Sequence, residues 1–317
     1  MPINVLLVGV GKIARDQHIP VMAKDARFRL VGVVSSSGAT VEGVPTFATQ
    51  AQAFAALPDI DAVANCTPPG PRRAYAAEAL AAGKHVLLEN PPTATISELR
   101  DLKRHARASG RTLMTAWHAQ HNESLDRARA LLAGKPLASL NIQWKENVRI
   151  WHPGQDWVWD AGNFGVFDPG VNALSALTKI APSPLFVKSA TLDYPANRQT
   201  PVAATLHFSS EGAAKDASLI AEFDWLKEGD HVWRIDITAK GGPALTLTFM
   251  LGEGGITKLA IDGVPSFQNE STEYERIYDR FARAIEAGES LVDSAPLELV
   301  ADAFLVGARR EVAAFAW

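Results

Sequence analysis

Apolar and polar positions follow two different periods along the chain, with the change near residue 120. Before it, short apolar runs at Val5–Val8, Leu30–Val34, Asp61–Asn65, His85–Glu89 and Thr112–Trp117 alternate with segments of helical period. Short, continuously apolar runs predict strands buried on both faces. Helices are predicted near 12–24, 49–56, 71–83 and 95–109. Two of them open on a capping box, Thr49 with Gln52 and Thr95 with Glu98, which satisfies two orphan N–H groups at a helix start. Strands alternating with helices imply parallel pairing and right-handed crossovers, hence a doubly wound α/β domain over residues 1–120.

Beyond residue 120 the period changes. A helix is predicted near 121–133, ending at Gly134, and strands dominate from about 137 to 262. In Trp233–Thr238 the apolar Trp233, Ile235 and Ile237 alternate with Arg234, Asp236 and Thr238. In Ala244–Leu251, Leu245, Leu247, Phe249 and Leu251 share one face. Alternation of this kind suits an antiparallel sheet with unlike faces. A helix near 271–287 places Tyr274, Ile277, Phe281 and Ile285 on one stripe, and a last helix is predicted from Pro296 to about Ala314. Residues 121–317 are therefore expected to form an α+β domain around a large, mainly antiparallel sheet.

The bulk properties narrow the class. A chain of 317 residues suits about two domains, and 47% hydrophobic against 21% charged residues excludes a disordered polymer. A net charge of -4 gives no electrostatic footprint for nucleic acid or an anionic membrane. No apolar run approaches the roughly 20 residues that span a bilayer. Met1-Pro2 leads straight into the first strand without a basic region or cleavage site, which predicts a cytoplasmic protein. The single cysteine, Cys66, excludes an internal disulfide and a cysteine metal cluster, and it reads as a small strand residue.

The first strand runs into Gly9-Val10-Gly11-Lys12-Ile13-Ala14, a G-x-G-x-x-A pattern at a strand-to-helix turn. Gly9 permits the tight turn and Gly11 lets the backbone approach a pyrophosphate, with Lys12 and Ile13 opening the helix. With a strand before it and a helix after it, the pattern predicts a dinucleotide-binding Rossmann domain. A site dedicated to NAD carries an acidic residue at the end of the second strand; here that position reads Ser35-Ser36-Ser37. Hydroxyls accommodate a 2′-phosphate and no carboxylate repels one, so NADP is predicted as cofactor, with NAD as the alternative. A plain polar turn has the same composition.

Asn65-Cys66-Thr67-Pro68-Pro69, Leu88-Glu89-Asn90-Pro91-Pro92 and Thr115-Ala116-Trp117-His118 close further parallel strands, where doubly wound sheets bind ligands. Farther on, Phe167-Asp168-Pro169-Gly170-Val171-Asn172 looks like a helix start with Asp168 as cap. Asn172 lies close to the same face, so a carboxylate and an amide could point together into a cleft. A bare capping role fits the sequence equally. Between Gln143 and Asp160 fall four of the eight tryptophans, Trp144, Trp151, Trp157 and Trp159, among polar groups. Indoles suit the C–H faces of a sugar ring, although at least two of the four are expected in a core or interface. His118 and His121 have a metal-ligand spacing but no supporting ligands, so no metal is expected; His118 is expected near the nicotinamide.

Taken together, Gly9-x-Gly11-x-x-Ala14, Pro68-Pro69, Glu89-x-Pro91-Pro92 and the Asp168…Asn172 pair resemble the Gfo/Idh/MocA oxidoreductases over essentially the whole chain. Longer strings resemble the bacterial L-arabinose/D-galactose 1-dehydrogenase branch. They are Gly11–His18, Trp144-Lys145-Glu146, Trp151-His152-Pro153-Gly154-Gln155 and Gly165–Ser175. The resemblance implies oxidation of an aldose (L-arabinose, D-galactose or D-fucose) at C1 to the lactone. It implies Asp168 as base, with Asn172 and Asn90 orienting the C1 and C2 hydroxyls. His118, Glu146, Trp151, His152 and Trp233 would line the sugar, and Thr67, Pro68, Glu89 and Asn90 would face the cofactor. It also implies a homodimer or larger assembly. One position departs from the pattern: the family's Glu-Lys-Pro-Pro has Asn90 in place of lysine, and asparagine cannot shuttle a proton near pH 7. Two explanations stand, a natural variant relying on Asp168 or a lysine replaced to slow turnover. A slow or non-catalytic sugar- or NADP-sensing regulator is the alternative function.

Overall fold

The computed structural model describes residues 1–250, 256–269 and 273–317. Leu251 and the first two positions of the helix expected at 271–287 lie outside them. The chain divides into two compact units, Met1–His118 with Tyr274–Ser294, and Ala119–Glu273 with Ala295–Trp317.

The first unit holds strands β1 (Ile3–Val8), β2 (Phe28–Val34), β3 (Thr46–Phe47), β4 (Ala62–Asn65), β5 (His85–Glu89) and β6 (Leu113–Ala116). All neighbouring pairs are parallel, in the order β3-β2-β1-β4-β5-β6, the doubly wound arrangement expected. Alternate residues explain the continuous apolar runs. Val5 and Leu7 of β1 enter one core and Leu6 and Val8 the other, all at 1% exposure or less. Helices α1 (Ile19–Lys24), α2 (Gln50–Ala56), α3 (Pro69–Ala81) and α4 (Ile96–Ser109) connect the strands, and both predicted capping boxes are formed. A wider π-type turn over Ala14–His18 precedes α1.

The second unit begins with α5 (Glu123–Leu132), followed by β7 (Leu137–Lys145), α6 (Val148–Trp151) and α7 (Phe167–Ile180). Strands β8 (Phe186–Pro195), β9 (Ala203–Ser209), β10 (Ala213–Asp224), β11 (Val232–Ala239), β12 (Ala244–Phe249), β13 (Thr257–Ile261) and β14 (Val264–Gln268) follow. α8 (Glu273–Ala287) belongs, from Tyr274 on, to the first unit, and α9 (Ala295–Val306) and β15 (Gly307–Val312) complete the second. The nine strands form one mainly antiparallel sheet, β14-β13-β12-β11-β7-β10-β9-β8-β15, with parallel pairs only at β7/β10 and β8/β15. Its faces are unlike, as the alternation required. Leu140, Ile142 and Trp144 are buried on one side of β7, and the other carries polar Asn141, Gln143 and Lys145.

Two expectations fail locally. The last helix stops at Val306 rather than continuing to Ala314. Gly307 leads instead into an edge strand whose Arg310 pairs with Asp193 of β8 at 2.6 Å, and Arg309 lies over the Tyr194 ring. A continuous parallel ladder, Gly307–Val312 on Ala190–Pro195, holds the segment extended despite the helical propensity of Ala-Arg-Arg-Glu. Asp168 is not the cap of α7 either. The helix starts at Phe167, no side chain caps it, and Asp168 sits in its first turn with its N–H donating to the Gly165 carbonyl at 2.8 Å. Gly165 makes that start, since its φ of 53° and the Pro201 carbonyl, 2.4 Å from where a Cβ would be, both demand glycine. Among the described residues no helix is long and apolar enough to cross a membrane.

Candidate active site

In the first unit the site is built on the C-terminal edge of the parallel sheet. Gly9 has a φ of 92°, and a Cβ there would stand 2.9 Å from the Cys66 carbonyl carbon, so the turn after β1 rests directly on the exit of β4. A Cβ on Gly11 would meet nothing within 4 Å. Space over Gly11 ahead of a helix start is what a pyrophosphate needs, and these residues fit an NAD(P) dinucleotide. Lys12 is exposed and pairs with Asp16 along the helix; Ile13 is half-buried. Ser35 is buried and structural, its hydroxyl accepting the Ala39 N–H at 2.9 Å. Ser36 and Ser37 stay exposed on the turn. Arg15 donates to the Thr40 carbonyl at 3.0 Å, which brings to this loop the cation that the serine triplet lacks.

The two proline-rich exits are held differently. Thr67 donates its hydroxyl to Asn65 Oδ1 at 2.7 Å, and Pro68 stands exposed before α3. Glu89 is 4% exposed, and its carboxylate accepts from Tyr274 at 3.0 Å and from the Asn90 N–H at 3.2 Å. It also pairs with His18 Nε2 at 2.8 Å, while His18 Nδ1 meets the Tyr278 hydroxyl at 2.8 Å. Burial opposes a charge on His18, but Cys66, Tyr278 and Glu89 around it raise its pKa well above the usual value. Burial likewise opposes ionising Glu89, and His18, His118 and Arg72 pull its pKa down nonetheless. Burial lifts the Tyr278 hydroxyl to about 12. The pair is therefore ionic, imidazolium on carboxylate. It makes Glu89 a support of the turn that presents Asn90, whose own amide donates to the Ala116 carbonyl at 3.4 Å. His118 stacks on Tyr274 at 6.0 Å.

The second unit gathers the other predicted residues. Asp168 and Asn172 lie one turn apart on α7, both half-buried, and Asn172 Oδ1 is a buried acceptor with no hydrogen-bond partner. His152 Nε2 stands 3.5 Å from Asp168 Oδ2, and its ring packs edge-on against Trp225 at 5.4 Å. Glu146, just past β7, is 2% exposed and accepts the Trp225 indole N–H at 3.1 Å. Burial raises its pKa to about 7, and the nearby Asp168 charge adds to the rise. Trp233 stacks on Trp144 at 5.2 Å, directly across the β7–β11 pair, and lies 6.0 Å from Trp151. Of the four clustered tryptophans, Trp144 and Trp159 are core, while Trp151 and Trp157 stay half-exposed. A carboxylate, an imidazole, a near-neutral carboxyl and indole edges together can take a proton from a hydroxyl and line a sugar ring. Among the described residues no three His, Cys, Asp or Glu side chains converge as a metal site.

Residues 3–117 match the Gfo/Idh/MocA oxidoreductase family with its NAD-binding Rossmann fold. A galactose 1-dehydrogenase of Pseudomonas fluorescens is 43% identical over 99% of both chains. The chain belongs to the Gfo/Idh/MocA oxidoreductase family. A crystal structure of a D-galactose-1-dehydrogenase from Rhizobium etli superposes with a TM-score of 0.91 at 46% identity, covering 99% of this chain and 98% of that one. A 3-ketoreductase from Actinomadura kijaniata solved with NADP shares the fold, with a TM-score of 0.80 at 18% identity over 98% of this chain and 100% of that one. The chain is accordingly an NAD(P)-dependent oxidoreductase.

Within this Gfo/Idh/MocA member, sequence reasoning missed His18, Tyr278, Arg72, Trp225 and Arg15. Only His18 carried a local signal, a histidine on the inward side of the helix after the glycine turn. The partners that give the others meaning are far away in sequence, as with His18 and Tyr278, which are 260 residues apart.

Proposed function

We propose that the protein is an aldose 1-dehydrogenase that oxidises L-arabinose, D-galactose and D-fucose at C1 to the lactone, with NADP preferred to NAD. The observation that carries this is the Asp168 carboxylate, set in the first turn of α7 against His152 at 3.5 Å and beside the buried Glu146. Similarity over nearly the full length to two galactose 1-dehydrogenases, at 43% and 46% identity, supports the choice of substrate. When bound, NADP supplies the hydride acceptor. Asp168 accepts the C1 hydroxyl proton as the C1 hydride departs, so that the C1–O bond becomes a carbonyl. Asn172 offers its unpartnered Oδ1 to a sugar hydroxyl, and Asn90 orients a second. Half-exposed Trp151 and Trp233 give the ring apolar faces, and His118, His152 and Glu146 its polar contacts.

The test is a panel of aldoses with both cofactors, run on the wild type and on Asp168→Ala. A positioned general base supplies roughly 10²–10⁴-fold in rate. The variant is expected to lose kcat on that scale while its cofactor Kd stays unchanged, with lactone as the wild-type product by NMR. A loss under about tenfold would remove Asp168 from the chemistry. Saturable nucleotide binding without turnover on any aldose would favour a sensor.

A further inference from the structure

Strands β4 and β5 are held by a parallel ladder only as far as the Asn65–Leu88 pair. The residues that matter for a ligand, Thr67-Pro68 on one side and Glu89-Asn90-Pro91 on the other, lie beyond it. What joins them is Arg72, in the first turn of α3 and 3% exposed. Its Nη1 donates to the Glu89 carbonyl at 2.7 Å and also to the Pro91 carbonyl, and its Nη2 donates to the Thr67 carbonyl. One planar fork thus grips three main-chain oxygens on two separate turns. The grip is itself braced, because Asn65 Nδ2 donates to the Arg72 carbonyl at 3.0 Å while Asn65 Oδ1 accepts from Thr67. Burying a guanidinium is costly unless its donors are matched, and here both terminal nitrogens are matched to backbone carbonyls.

The two turns stand at the C-terminal edge of the β4–β6 half of a sheet whose β1–β3 half carries the glycine turn. In a doubly wound dinucleotide fold the adenosine and nicotinamide moieties divide between two such halves. We propose that Arg72 is a positioning residue for the nicotinamide half of the cofactor, fixing the separation of the Thr67-Pro68 and Glu89-Asn90-Pro91 turns. It acts through main-chain atoms and touches neither cofactor nor sugar. Lysine cannot replace it, since an ammonium lacks the rigid fork that reaches three carbonyls at once. The inference rests on the edge of this sheet being the dinucleotide site.

The experiment compares Arg72→Lys and Arg72→Ala with the wild type in binding titrations of NADPH and of 2′,5′-ADP, a fragment that holds only the adenosine half. Near-UV circular dichroism monitors folding. Lost charge-assisted bonds should raise the NADPH Kd of Arg72→Lys by about tenfold or more, with the 2′,5′-ADP Kd moving less than about twofold. In Arg72→Ala, millimolar guanidinium should restore NADPH affinity, and the same concentration of urea should not. Folded variants with both constants unchanged, both constants raised equally, or loss of folding in both variants would each overturn the assignment. A wild type that binds neither nucleotide would instead refute the dinucleotide site.

Discussion

Glu146 provides the sharpest quantitative test of the site. In the unfolded chain its carboxyl ionises near the ordinary value of 4.5; in the folded protein burial and the Asp168 charge move that to about 7. Between those two pH values the unfolded state gives up a proton that the folded state keeps, so stability falls as pH rises. The difference of roughly 2.5 pKa units corresponds to about 3 kcal/mol, developed between about pH 4.5 and 7 and constant above. Glutamine keeps the shape and hydrogen-bonding reach of the neutral acid but has no proton to lose. Glu146→Gln is therefore expected to gain on the wild type by about 3 kcal/mol between pH 4.5 and pH 8. Urea denaturation of both proteins across that range measures it directly. An inflection near pH 7 is expected in the wild-type kcat/KM profile, and it should be absent in the variant, while activity below that pH is retained. Stability curves that run parallel for the two proteins would refute the claim that Glu146 holds a proton in the fold.

Restoring the family lysine by Asn90→Lys should raise kcat, read by NADPH formation with L-arabinose; a fall would identify the asparagine as an adaptation of this site. Arg15→Ala should lower NADP affinity by about tenfold with little change for NAD, measured as two Kd values, because only the 2′-phosphate needs the cation. His18→Ala leaves the Glu89 carboxylate buried without its imidazolium, and breaking a buried pair on one side costs roughly 3–5 kcal/mol, a loss that urea titration would detect.

Much of the fold was legible because its signals are local. Continuous apolar runs mark strands covered on both faces, and Thr49 and Thr95 each carry their capping partner three residues on. Alternation in Trp233–Thr238 identified a two-faced sheet, and the stripe Tyr274-Ile277-Phe281 identified a helix that packs into the core of the first unit. The failures sit where a distant partner decides. Nothing near residue 307 announces that Arg310 has Asp193 to pair with, and nothing near Asp168 announces that the Pro201 carbonyl accepts the Val166 N–H at the helix start. The carboxylate and amide of the candidate site were legible as residue types at helical spacing. Their electrostatics were not, because Glu146 owes its shift to burial and to Asp168, 22 positions away by number (168 − 146).

Asn90 makes that electrostatic environment more consequential. An alcohol can release hydride only as its proton leaves, and where lysine is absent the acceptor must be found among other side chains. Asn90 is engaged through its amide with the Ala116 carbonyl and has no titratable proton. In the second unit, by contrast, Asp168 faces an imidazole at 3.5 Å and a carboxyl that titrates near neutrality. A proton taken by Asp168 would thus arrive beside a carboxyl able to hold it near pH 7, and the charge on Glu146 would be felt at Asp168 in return. Glu146→Gln and Asn90→Lys combined in one protein separate the two sources of basicity. If lysine substitutes for what the acidic pair provides, the double variant should show the kcat of Asn90→Lys and no inflection near pH 7. If the inflection persists, the proton is held by a group other than Glu146.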